Sequence, residues 1–117
     1  METKLAGISL KEAQRKLLTY TALGNHVRLE AFLYIAEQPD VAFKVIVKKV
    51  GAKDTLVAYH LGVLKSADLV SFTYERKGRT SYSKYNLTEL GRHVFEDLRT
   101  MVKQVSVTAD PQDDLQL

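Results

Sequence analysis

From Ser9 onward apolar residues recur every three or four positions, and only between Val70 and Leu87 does the repeat shorten to two. The longer repeat predicts helices. Ser9-Leu-Lys-Glu12 has the spacing of a capping box, in which Ser9 caps and Glu12 reaches back. Leu10, Ala13, Leu17 and Thr21 mark one face of a first helix, with Leu18 and Ala22 beside it and Gly24 ending it. Asn25 is placed to cap a second helix with a buried stripe of Leu29, Phe32, Leu33 and Ala36, and Pro39-Asp40 breaks the chain again.

Two short helices around a tight turn follow. In the first, running from Val41 to Val50, Val47 and Val50 point inward; in the second, Asp54 to Ser66, Val57, Leu61 and Leu64 do so at one-face spacing. Gly51 suits a helix end that must swing into the left-handed region, and Asp54 or Thr55 can accept the free N–H groups that open the next helix. This is a helix-turn-helix layout, whose second helix fits a DNA major groove. A helix pair serving only a core has the same periodicity.

The period-two segment predicts a hairpin. Val70, Phe72 and Tyr74 alternate with polar residues, Arg76-Lys-Gly-Arg79 makes the turn, and a second strand runs from Thr80 to Leu87. Tyr85 and Leu87 share a face while Tyr82 falls on the other, which requires either a bulge or an outward Tyr82. Thr88 is placed to cap a last helix with Glu89 in its first turn. That helix carries two apolar lanes, Leu90, Val94, Leu98, Met101 and Val105, with Phe95 and Val102 alongside. Together they are wider than packing on one small body needs. The terminal helices therefore read as a dimer interface, of which Leu10, Leu17, Val94, Phe95, Leu98, Met101, Val102 and Val105 are the candidate residues. Both lanes packing within one chain is the competing reading.

Charge sharpens the picture. Residues 44–84 hold nine Lys and Arg against three acids, whereas residues 1–43 are balanced and residues 85–117 hold three bases and six acids. A basic segment coinciding with a helix-turn-helix is the footprint of phosphate binding. The length of 117 residues fits one domain, here residues 1–106, followed by a short acidic tail, 107–117, expected to be flexible. Cysteine is absent, which removes disulfides and thiolate chemistry. Met1-Glu-Thr-Lys-Leu-Ala-Gly7 is no signal peptide, and no apolar run approaches membrane-spanning length, so a soluble cytoplasmic protein, working on the nucleoid, is expected. Phosphate-binding glycine loops, nucleophile elbows and metal-ligand clusters are not found, which argues against an enzyme and against a bound cofactor.

The order helix, helix, helix-turn-helix, hairpin, long helix resembles the winged helix-turn-helix repressors of the ArsR type, and related MarR- and PadR-like proteins. Leu23-Gly-Asn-His-Val-Arg-Leu29 resembles the family's turn before an Arg-Leu helix start. Gly51, Val57 and Tyr59-His-Leu-Gly-Val-Leu64 resemble its recognition helix. Ser66-Ala-Asp-Leu-Val70 is similar to its link into the wing, with Asp68 where glycine is usual, and Tyr85-Asn-Leu-Thr88 resembles the exit. The fold implied is mainly α with a small β-hairpin wing. The resemblance also implies a homodimer that binds double-stranded DNA at palindromic operators and represses transcription. The family's cysteine motif is missing, and His93 lacks the Asp-x-His pair of the other metal site. His26, His60 and His93 form no i, i+4 ligand pair, so His60 reads as a structural residue and no metal or small-molecule effector is identified.

On this reading the helix from Asp54 to Ser66 enters the major groove. Lys53, Thr55, Ala58, Tyr59 and Gly62 face outward; Thr55 and Tyr59 offer hydrogen bonds and Ala58 a contact for a thymine methyl. Lys48, Lys49, Lys53 and Lys65 bracket the groove on phosphates, and Arg76, Lys77 and Arg79 at the wing tip reach the flanking backbone. Few of these groups give bidentate base contacts, so specificity is expected to lean on DNA shape. The alternative is a winged helix used for protein contact within a larger transcription or nucleoprotein complex.

Overall fold

The computed structural model describes residues 2–104. Their elements run β1 (Lys4–Leu5), β2 (Ile8–Ser9), α1 (Leu10–Thr21), α2 (His26–Glu37), α3 (Phe43–Val50), α4 (Asp54–Ser66), β3 (Val70–Lys77), β4 (Thr80–Leu87) and α5 (Glu89–Gln104). Val105 and the tail 107–117 lie outside the described residues. The expected class, mainly α with a β-hairpin wing, is the one observed. An unexpected small hairpin, β1–β2, precedes α1 and turns through Ala6 and Gly7, both at positive φ.

Caps fall where the side chains allow them. Ser9 accepts from the Glu12 N–H at 3.3 Å, Asn25 accepts from the Arg28 N–H at 3.1 Å, and Thr88 accepts from the Gly91 N–H at 2.9 Å. The core is a single cluster of Phe32, Ile35, Ile46, Val57, Leu61, Leu64, Leu69 and Val70, with Leu87 and Val94 at its edge.

Two helical stripes differ from expectation. In α2 the buried residues are Ala31, Phe32 and Ile35, while Leu33 faces out and Leu29 and Ala36 are only half-buried. Apolar residues surround most of this helix, so periodicity had no polar face from which to fix its phase. In α3 the residue driven inward is Ile46; Val47 and Val50 are half-buried at its flanks. The α4 stripe of Val57, Leu61 and Leu64 is fully buried as expected.

The hairpin pairs in continuous register from Val70 with Leu87 to Lys77 with Thr80, so no bulge intervenes and Tyr82, opposite Glu75, points outward. The strands run on through Lys77 and resume at Thr80, which shortens the expected four-residue turn to Gly78 and Arg79, with Gly78 at φ 64.

α1 packs differently from the other helices. It has no buried residue; Leu10, Leu17 and Leu18 are exposed, and its attachment to the body is through Tyr20 and the corner Ala22-Leu23. In α5 the lanes divide along their length. Val94 lies in its own chain's core, Phe95 and Leu98 are half-buried, and Leu90, Met101 and Val102 are exposed. An intramolecular role thus accounts for Val94 and part of Phe95, but leaves Leu90, Met101 and Val102 uncovered.

Candidate nucleic-acid interface

Helix α4 is aimed by the turn that precedes it. Gly51 takes φ 74 and ψ 22, and its N–H donates to the Val47 carbonyl at 2.9 Å, closing α3 in the left-handed conformation that glycine adopts without strain. Lys53 opens α4 without a side-chain cap, and the Asp54 carboxylate accepts from the Thr55 N–H at 2.8 Å. Because Val57, Leu61 and Leu64 lock one side into the core, the opposite side has to face solvent. Lys53, Thr55, Ala58, Tyr59, Gly62 and Lys65 are all exposed, Tyr59 at 62%. An open groove runs along Ala58, Tyr59, Gly62, Val63 and Ser66. A Cβ built on Gly62 would meet nothing within 4 Å, so the fold itself has no steric need for glycine there. Thirteen residues give α4 a length of about 20 Å, and the major groove, about 12 Å wide, admits such a helix.

The wing is tied at its root to the start of α3. Val41 pairs with Tyr85 through two backbone hydrogen bonds of 3.2 and 2.8 Å. The Phe43 N–H donates to Ser83 Oγ at 3.2 Å, and Asp40 and Asn86 exchange two bonds of 2.8 Å. The hairpin is therefore braced against the start of α3. Lys65 shares a helix side with Ala58, seven residues earlier, and its Nζ sits 5.2 Å from the centre of the Phe72 ring. Phe72 lies on the same hairpin face as Arg76, since alternate residues of a strand share a face. The exposed side of α4 and the Arg76 face of the wing thus meet at Lys65.

Charge at the tip is uncompensated. The hairpin's only acid, Glu75, pairs with Lys84 at 3.0 Å, and that hydrogen-bonded ion pair pushes the Lys84 ammonium above its ordinary range. Among the described residues Arg76, Lys77 and Arg79 have no carboxylate within ion-pair distance. Arg76 Nε donates to the Gly78 carbonyl at 3.2 Å, which holds its guanidinium over the turn. Lys77 is on the opposite face from Arg76, and Arg79 occupies the loop, so the three cations fan out rather than form one patch. Lys48 and Lys49 are exposed in the last turn of α3, where they also complement that helix's dipole; Lys49 Nζ lies 5.7 Å from the Tyr34 ring.

His60 is a buried side chain, 6% exposed, as expected of a structural residue. Burial first, and the neighbouring Arg28 cation second, push its pKa below the ordinary imidazole value. The contact with Arg28 spans 32 residues of sequence and left no signal in the periodicity. Among the described residues no group of three or more His, Asp or Glu is arranged to hold a metal ion, and no helix is long and apolar enough to cross a membrane.

Known proteins share this architecture. A family described as the winged helix DNA-binding domain matches residues 27–106. The chain is similar to the solution structure of a homodimeric winged helix-turn-helix DNA-binding domain from Mycobacterium bovis, described as a possible ArsR-family transcriptional regulator. The identity is 24% over 91% of this chain and 97% of that one, with a TM-score of 0.65. It is also similar to NolR from Sinorhizobium fredii, at 22% identity over 85% and 95% of the two chains and a TM-score of 0.64. The transcriptional repressor BigR from Xylella fastidiosa matches at 22% identity over 78% and 89%, with a TM-score of 0.61. At these identities the likeness is one of fold. No curated protein matches the chain in sequence.

Proposed function

Because the chain belongs to the winged helix DNA-binding domain family, we propose that it is a sequence-specific transcriptional regulator of the ArsR type that binds double-stranded DNA. It works as a homodimer on a two-fold symmetric site, in the cytoplasm on the nucleoid, and represses by occupying its operator. The observation that carries this reading is the junction at Lys65, where the exposed side of α4 and the uncompensated cations of the wing adjoin. In the complex Thr55, Ala58 and Tyr59 read base edges, while Lys48, Lys49, Lys53 and Lys65 hold phosphates on either side. Arg76, Lys77 and Arg79 grip the flanking backbone.

Dimerisation is supported by α1, which has no buried residue, and by the apolar side chains Leu10, Leu17, Met101 and Val102, which one chain leaves exposed. Phe95 and Leu98 are half-buried beside them. A patch of this kind marks an interaction site rather than a solvated face. The homodimeric Mycobacterium bovis domain and the Xylella fastidiosa repressor support the same assembly and sign of regulation. Two such helices across a two-fold axis would sit about 34–36 Å apart, one turn of duplex.

Selection of bound duplexes from a random pool, followed by a mobility shift with excess competitor DNA, tests the reading. A discrete complex on a two-fold symmetric site, and a particle of twice 13.2 kDa by light scattering, are expected. Binding that competitor abolishes on every selected sequence would instead favour a protein-contact role.

A further inference from the structure

One half-buried contact reaches the recognition helix from a distant part of the chain, and none of the proposed DNA contacts uses it. Arg28, in the first turn of α2, donates from Nε to the Ala22 carbonyl at 2.6 Å, at the end of α1. Its terminal nitrogen lies 3.2 Å from Nδ1 of His60, in the middle of α4. A guanidinium has donors only, so Nδ1 is the unprotonated acceptor and the ring's proton sits on Nε2. One side chain thus holds the α1–α2 corner with one nitrogen and the reading helix with another. On the outward side of His60 the ring of Tyr59 stands edge-on, with centroids 5.2 Å apart.

Taking the DNA reading above as its basis, we propose that Arg28 is a positioning residue for the recognition helix. It sets α4 against the α1–α2 corner through neutral His60, and Tyr59 keeps its reading position only while that ring is unprotonated. Adding a proton at Nδ1 would turn the acceptor into a second donor facing a permanent cation where little water reaches. Among the described residues Arg28 is the charged group of α2 within hydrogen-bonding reach of the ring, and Tyr59 is the titratable neighbour on α4 itself. Among the described residues no ion pair or hydrogen bond reaches the ring from α3 or β3, and neither Arg28 nor His60 has a carboxylate partner.

The sign of the effect separates this device from ordinary electrostatics. Lowering pH adds net positive charge to a protein, which by itself tightens binding to phosphate. Loss of the clasp does the opposite. The folded His60 pKa lies below the unfolded value of about 6.5, so its share of stability is complete above that value and drains away as pH falls below it.

The test uses a duplex selected by the wild-type chain, with affinity measured by anisotropy at about pH 7.5 and about pH 5 for wild type, His60→Gln and Arg28→Met. Gln keeps an acceptor for Arg28 but does not titrate; Met keeps bulk but donates nothing. Wild type should lose about tenfold affinity on acidification, the scale of one charge-assisted hydrogen bond. His60→Gln should match wild type within about twofold at the higher pH and escape the loss at the lower. Arg28→Met should bind at the higher pH as weakly as acidified wild type while still melting above the assay temperature. Wild-type binding that is flat or tighter at low pH overturns the proposal, as does a His60→Gln variant that weakens in parallel. If Arg28→Met does not fold, the Gln variant decides. A chain that selects no duplex overturns the DNA reading itself, a distinguishable result.

Discussion

The wing offers the prediction whose size the structure fixes most closely. Arg76, Lys77 and Arg79 are the tip cations, and among the described residues no carboxylate is paired with them. Each phosphate contact contributes about −0.9 to the slope of log affinity against log salt. Three contacts would remove about 2.7 from the slope per chain if all were made. The register argues for fewer: Arg76 and Lys77 project from opposite faces of a two-stranded ribbon, so one backbone rail is reached by Arg79 and only one of them. The triple Ala variant should therefore flatten the slope by about 1.8 per chain, or about 3.6 for a dimer. Between about 50 and 200 mM salt, the gap between wild type and variant should change about 150-fold. A labelled selected duplex titrated by anisotropy across that range measures it. Melting temperature should be unchanged, because all three side chains are exposed. An unaltered slope would show that the wing does not touch DNA, and a loss of about 2.7 per chain would show that both faces of the hairpin are embraced.

Other substitutions test the scaffold. Asp68 sits at φ 60, a conformation that strains an L-residue, and Asp68→Gly should stabilise by about 0.5–1 kcal/mol, seen as a rise of a few degrees in melting temperature. Gly91→Ala should destabilise by about 3 kcal/mol or more in denaturant unfolding, because its Cβ would collide with the Leu69 carbonyl where α5 crosses the link into the wing. Leu17→Glu with Leu18→Glu should halve the particle mass in light scattering yet leave unfolding of the monomer core almost unchanged, since both residues are exposed in the single chain.

The elements nearest the proposed interface were the most legible in sequence, and for a physical reason. α4 has one side that is apolar apart from His60 and one of small and polar residues, so its period carries a phase and the exposed set could be named in advance. Gly51, Gly78 and Thr88 are local signals that act within a few residues, and each does what its chemistry dictates. In α2 and α3 apolar residues stand almost side by side, and there only tertiary packing chooses Ile35 over Leu33 and Ile46 over Val47. The β1–β2 hairpin has two residues per strand, too few for a period of two to register. Asp68 was odd as a sequence departure and becomes intelligible as a left-handed residue tolerated without glycine. The Arg28–His60 contact lies beyond any local pattern, because nothing in the sequence places two helices 32 residues apart against each other.

The central claim is that the exposed side of α4 reads DNA alongside the wing tip. Backbone amide shifts recorded on addition of a selected duplex test it directly. The account predicts the largest changes at Thr55, Ala58, Tyr59 and Gly62, with a second set from Arg76 to Arg79 and only small ones along the outer side of α2. Changes centred on α2 or β1–β2, with the α4 amides unmoved, would contradict it.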